Sequence, residues 1–464
     1  MGGVRPSRIR SIDRRTFVRR AGAAGLTVAA GLGGILSARR APARARPTTI
    51  HLLQWIDFIP EADVELERQL AAYTRQTGTG VRLERVDANT LPARIVRAIE
   101  ARRGPDVVLM LHNWSHLYRD SLADLEDLCE WKARDQDGYY PAAAAAARAG
   151  SRWLALPYGV VPFLIAYRRS WFADVGASEP PRTLDEYRQI GARLKKRGHP
   201  VGQALSHTFG DAPAWTYPIL WAFGGAEVDA SGGRVVLDSR ATLESVKWMT
   251  AFWTEACDET GLRWDDSDNN RAFHRGKIGA TLNGASIYVV AKRSAAPDRA
   301  PIYFAAKRRP EWIRDERGAP MFEDISHFPI PAGVVPTPGS PAVFSHAVLG
   351  YSPNQQAARE LLRWLHGREQ FGRWLGAAGG YNVGATRIWE RDPLWERIDP
   401  PLRPFRTAAR ASRMFGYAGP PNALAGEVYA KSIVTDMYAR AVQGVPPADA
   451  VRWAARQLAQ IYGR

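Results

Sequence analysis

Ile50-His51-Leu52-Leu53-Gln54, Val81-Arg82-Leu83-Glu84-Arg85-Val86 and Val107-Val108-Leu109-Met110-Leu111 are the segments that decide the fold. Each is a short run rich in β-branched and aliphatic side chains, which predicts a strand. Between the last two, Leu91, Ile95, Ala98 and Ile99 recur at i, i+4, i+7 and i+8, the apolar stripe of an amphipathic helix. Strands alternating with helices imply a parallel sheet covered on both faces. In such sheets a ligand binds beyond the carboxyl ends of the strands. Those ends are Trp55-Ile56-Asp57-Phe58 and His112-Asn113-Trp114.

Further along, the chain becomes helix-rich and Trp-rich. Thr183-Leu184-Asp185-Glu186 fits a capping box and predicts a helix toward Lys196. A helix is expected over Leu243–Ala256, after a turn at Ser231-Gly232-Gly233. Five prolines between 329 and 341 mark an extended crossing. Ser352-Pro353-Asn354-Gln355 reads as a second helix start with Ser352 as N-cap. Val451, Ala454, Ala455, Leu458 and Ile461 share one face of a docked last helix.

The chain has 464 residues, 63 Lys+Arg against 47 Asp+Glu, 16 Trp and 45% hydrophobic residues. That length suggests two or three domains, and the apolar content excludes global disorder. The charge of +16 invites a nucleic-acid reading, but ten arginines and one acid, Asp13, lie within residues 1–45. There Arg14-Arg15-Thr16-Phe17 precedes an uncharged run, Ala21 to Ala38, and the small-residue site Ala43-Arg44-Ala45. The layout is that of an export signal and resembles the twin-arginine type, with Asp13 where Ser or Thr is commoner. The mature protein is therefore expected in the periplasm, exported and soluble, with no nucleic acid as partner. Cys129 and Cys257 are read as two buried free thiols rather than a disulfide.

Several motifs, in order, resemble the bacterial extracellular solute-binding proteins of ABC importers, carbohydrate type. They begin with Ala155-Leu156-Pro157-Tyr158-Gly159 and Ile165-Ala166-Tyr167-Arg168-Arg169-Ser170-Trp171-Phe172. Next comes Ala272-Phe273-His274-Arg275-Gly276-Lys277-Ile278-Gly279-Ala280-Thr281-Leu282-Asn283-Gly284, and then Phe328-Pro329-Ile330-Pro331 and Gly379-Gly380-Tyr381-Asn382. The resemblance implies an α/β, two-lobe periplasmic-binding-protein fold of type II, each lobe a mostly parallel sheet flanked by helices and joined by crossing strands. It divides the chain into a signal at 1–45, a first lobe at 48–160 plus 328–370, and a second at 161–327 plus 371–464. It implies a carbohydrate ligand, membrane permease subunits as partners, a monomer, no cofactor and no catalysis. Two features depart from the pattern: segment 292–320 is basic and proline-rich, and Ala285-Ser286 replaces the usual aromatic.

A sugar offers apolar C–H faces and a rim of hydroxyls, so its site needs flat rings and fixed polar groups. The candidates are Trp55, Asp57, Asn113, Trp114, Tyr158, Trp215, Asn283 and Asn422. Each has a structural alternative: the Trp residues as core, Asp57 as a helix cap, and the asparagines as turn or cap residues. The same fold could instead take a polyamine, another cation or ferric ion, and an exported glycosidase would need a carboxylate pair. His112 and His116 have metal-ligand spacing without a third ligand. Asp266-Ser267-Asp268-Asn269-Asn270 begins like a calcium loop, but Arg271 and Lys277 occupy its glycine and glutamate positions. Tyr139-Tyr140 before Pro141 reads as a packing turn rather than a ferric-ion site.

Overall fold

A computed structural model describes residues 48–295 and 313–463. The expected signal at 1–45 and much of the basic segment lie outside the described residues. The first lobe opens with β1 (Thr49–Trp55), α1 (Pro60–Thr77), β2 (Gly80–Val86), α2 (Leu91–Ala101) and β3 (Val107–Leu111). β1 pairs in parallel with both β2 and β3. β3 is buried at all five positions, which is why it reads as an unbroken apolar run. β2 forms the sheet edge and carries Arg82, Glu84 and Arg85, charges that discourage edge-to-edge pairing with another chain.

β4 (Leu156–Val161) ends the first passage through this lobe, and β5 (Leu164–Arg168) begins the second lobe two residues later. There follow α3 (Leu184–Lys196), α4 (Asp211–Ala222), α5 (Arg240–Ala256), α6 (Asp268–His274), β6 (Ala280–Asn283), α7 (Ser286–Ser294) and β7 (Ile325–Phe328). The proline-rich crossing returns the chain to β8 (Ala342–Val348), α8 (Gln355–Leu365), α9 (Arg368–Ala378) and β9 (Val383–Gly384). It ends in α10 (Ala423–Ala430), α11 (Ile433–Val442) and α12 (Pro447–Tyr462).

The first sheet has the order β9-β4-β8-β3-β1-β2, with β8 antiparallel to both neighbours. The second, β6-β5-β7, is antiparallel throughout, so the expectation of a mostly parallel sheet in each lobe fails there, and the first sheet is mixed, with only β1–β2 and β1–β3 paired in parallel. The reason is the entry route. β5 starts at the crossing, whereas β6 and β7 run back toward it, so Leu164 pairs with Asn283 and Ile165 with Phe328.

The lobe boundary expected at 371 also shifts. α9 packs on α1 and β9 pairs with β4, which keeps residues 368–384 with the first sheet. The chain has reached the second lobe by Asp399 and Pro401, which accept hydrogen bonds from the Tyr288 hydroxyl at 3.0 Å and His327 Nδ1 at 2.9 Å.

Local signals mostly act as chemistry dictates. The Glu186 amide donates to Thr183 Oγ1 at 3.1 Å, but the Glu186 carboxylate reaches one residue further back than a capping box requires, to the Arg182 amide at 2.6 Å. Ser352 does not cap α8, which starts at Gln355. Its hydroxyl instead donates to buried Asp106 at 2.6 Å while accepting from the Asn354 amide. At Gly284 a Cβ would come within 2.9 Å of both Tyr381 and Val161, so only glycine lets these segments meet. Both cysteines are buried and unpaired with each other.

Candidate functional site

Where β1 and β2 end, a cavity of about 690 Å³ opens between the two sheets' lobes. One wall is Ile56, Asp57 and Phe58 after β1, Asp63 and Glu67 on α1, and Arg85, Asp87 and Asn89 after β2. Phe209 and Asp265-Asp266-Ser267, from the second lobe, form the other. The first wall is held by its own backbone. Asp57 Oδ1 accepts from the Ile59 amide at 2.7 Å, and the Asp57 amide donates to Asp63 Oδ2 at 3.2 Å. Burial, reinforced by the Asp63 charge, pushes the Asp57 carboxyl up to about 8. Burial also raises Asp63 to about 6, against the pull of Arg85 at 3.6 Å.

Asp266 organises the second wall. Its oxygens accept the amides of Phe209 at 3.2 Å, Gly210 at 3.1 Å and Asp211 at 2.8 Å, satisfying backbone donors that α4 leaves open at its start. Burial nevertheless pushes Asp266 up to about 6. Phe209 is placed edge-on to Trp55, ring centroids 6.1 Å apart, and its carbonyl accepts from His112 Nε2 at 3.0 Å and from the Tyr429 hydroxyl.

The expected site residues divide. Asp57 lines the cavity, and Trp55 stands behind it against Phe58 and Phe344, with centroids 5.4 and 4.8 Å away. Asn283 borders a small inner chamber that shares Phe58, Phe209 and Asp266 with the cavity, and its amide is tied to Asn270 at 2.6 Å. Tyr158 is in the first lobe's interior, packed on Trp374, His346 and Phe371. Asn113 is fully buried with neither amide atom partnered, and Trp114 is buried beside it. Trp215 is 1% exposed inside the second lobe, against Phe252 at 5.5 Å and Trp248 at 6.3 Å. Asn422 caps α10, accepting from the Ala425 amide at 2.9 Å.

The candidate set left out Phe58, although it lies in a strand end singled out for ligand binding, and sequence reasoning missed Phe209, Asp63 and the Asp265–Ser267 run. The last was visible as a failed calcium loop, an acid-rich segment needing another use. Among the described residues no group of three or more His, Cys, Asp or Glu is placed to hold a metal ion. His116 Nε2 bonds to the Ala145 carbonyl at 2.9 Å, and the Tyr140 hydroxyl donates to Glu390 at 2.5 Å.

Two α/β lobes, linked by crossing segments and walling one cavity between them, define a two-lobe ligand-binding protein. Residues 60–370 match the family described as bacterial extracellular solute-binding protein, and the chain belongs to it. A probable ABC transporter-binding protein of Deinococcus radiodurans is 20% identical over 355 residues, 73% of this chain and 77% of that one. Maltose-bound MalE3 of T. maritima superposes with a TM-score of 0.72 at 18% identity, covering 89% of this chain and 99% of the other. The GacH receptor of Streptomyces glaucescens, solved unliganded and with acarbose, gives 0.71 at 17%, covering 90% and 99%. A sugar transporter of Arthrobacter chlorophenolicus with bound laminaribiose gives 0.71 at 14%, covering 89% and 99%. Among the described residues no helix is long and apolar enough to cross a membrane.

Proposed function

We propose that this chain is the substrate-binding component of an ABC importer, capturing a carbohydrate between its lobes and delivering it to a membrane permease. The observation that carries the reading is the cavity of about 690 Å³ walled by both lobes, with a phenyl ring, Phe58 or Phe209, on each wall. Its size falls within the roughly 300–1,000 Å³ of small-molecule sites. The rings supply apolar faces for sugar C–H groups, and Asp57, Asn89 and Ser267 supply polar contacts to hydroxyls. Relatives of this fold named for maltose, acarbose and laminaribiose support a saccharide over other solutes. Closure of the lobes then presents a liganded surface to the permease. The protein works in the periplasm as a monomer and turns nothing over.

Titration calorimetry and tryptophan fluorescence against a broad saccharide panel test this reading. A saturable response to at least one sugar is expected. A folded protein silent to the whole panel, or one that hydrolyses a glycoside, would overturn it.

A further inference from the structure

The cavity wall is far more acidic than a neutral sugar requires. Asp57, Asp63, Glu67, Asp87, Asp265 and Asp266 face it with one guanidinium, Arg85, a formal excess of five negative charges in a chain whose net charge is +16. Arg85 is shared between Asp63 and Glu67, and Arg271 sits on Asp265 at 3.2 Å. Arg293, paired with Glu61, tempers Asp57 from outside the wall. Once a cation ionises them, carboxylates only accept hydrogen bonds, whereas hydroxyls both donate and accept. An acceptor-crowded wall suits a ligand with surplus donors.

A second observation is independent of that count. Asp211 is 4% exposed, lines the inner chamber that adjoins the cavity, and leaves Oδ2 without a partner. Burial and the Asp266 charge push this carboxyl well up, so without a ligand it keeps its proton, and a cation arriving at Oδ2 lets it ionise and accept. The carboxylates also come from both lobes, four from the first and two from the second. Bringing these carboxyls together in a dry cleft favours their protonated forms, and a cation between them lets them ionise instead.

Building on the carbohydrate reading above, we infer that the solute is a saccharide carrying a protonated amine, held between Asp57 of the first lobe and the Asp211–Asp266 pair of the second. The phenyl rings take the sugar faces and the carboxylates take the ammonium, through charge-assisted hydrogen bonds. The burial-raised Asp57 carboxyl fits a site whose counter-charge comes with the ligand.

The test is calorimetry with mono- to trisaccharides supplied in matched forms, the same position carrying a hydroxyl, an amine or an acetamide. The glucose, glucosamine and N-acetylglucosamine β-1,4 disaccharides are the core set. An amine form is expected to bind at least about tenfold tighter than its hydroxyl and acetamide partners, and to weaken as NaCl rises from about 20 to about 300 mM. Asp57→Asn and Asp266→Asn, each verified as folded by circular dichroism, should collapse that preference. Hydroxyl forms that bind as tightly as amines, without salt dependence, would overturn the inference and leave the carbohydrate function standing. Spermidine binding with every saccharide silent would overturn both.

Discussion

Replacing Asp57 with Asn tests the description of the cleft most directly. The wild-type carboxyl is raised from 3.8 to about 8 by burial and by Asp63. A carboxyl that holds its proton more tightly when folded stabilises the native state fully below about 3.8, and that contribution is lost as pH rises through about 8. At about 1.4 kcal/mol per unit, the loss over the whole window is of order 6 kcal/mol. Asparagine keeps an oxygen for the Ile59 amide, 2.7 Å from Asp57 Oδ1, and never ionises. Asp57→Asn is therefore expected to be the more stable protein at pH 8, with a gap over wild type that widens from pH 5 and levels off above pH 8. Urea denaturation followed by tryptophan fluorescence, at closely spaced pH values without ligand, reads the gap. A gap independent of pH, or one that narrows as pH rises, would refute the claim that this carboxylate is desolvated.

Four further outcomes are expected. Lys132 is fully buried, donates to the Pro157 carbonyl at 2.6 Å and to His366 Nδ1 at 3.0 Å, and is lowered by burial to about 7. A base lowered on folding makes stability rise with pH between about 7 and 10.5, and Lys132→Met should abolish that slope in the same denaturation assay. Asp266→Ala strips three amides of their acceptor and should cost about 2–3 kcal/mol, read as a lower denaturation midpoint. Burial pushes both thiols up, so a thiol-reactive dye should label neither native cysteine and both after unfolding. Trp215→Phe should change stability and leave ligand affinity unaltered, because the indole lies within the second lobe's core.

The sequence announced its elements through periodicity and capping chemistry. Leu91, Ile95 and Ala98 are the buried face of α2, and Val451, Ala454, Leu458 and Ile461 that of α12, because a 3.6-residue period places them on one side whatever they pack against. β1 and β3 were legible for a similar reason, each a run too apolar to face water, and the charged edge strand β2 through its Val81, Leu83 and Val86. The crossings were legible through their prolines and through Tyr158-Gly159 to Ile165. What periodicity lacks is direction: nothing in Ala280–Asn283 or Ile325–Phe328 says that these strands run antiparallel to β5.

Site residues were less legible because a side chain's type does not say which surface it meets. Trp55 and Trp215 look alike in sequence, yet one backs the cavity through Phe58 and Phe209 while the other is enclosed by Phe252 and Trp248. The cavity joins Asp57 to Asp266, more than 200 positions apart, and only the folding of one lobe over the other sets them across a shared space. By itself, then, the sequence determined the alternation of helices and strands, since these follow from local period and solvation, while the two-lobe plan came from the order of motifs that resemble the solute-binding family. The tertiary structure alone decided which carboxylates face one another and lose their water, because that depends on packing between segments no local pattern connects.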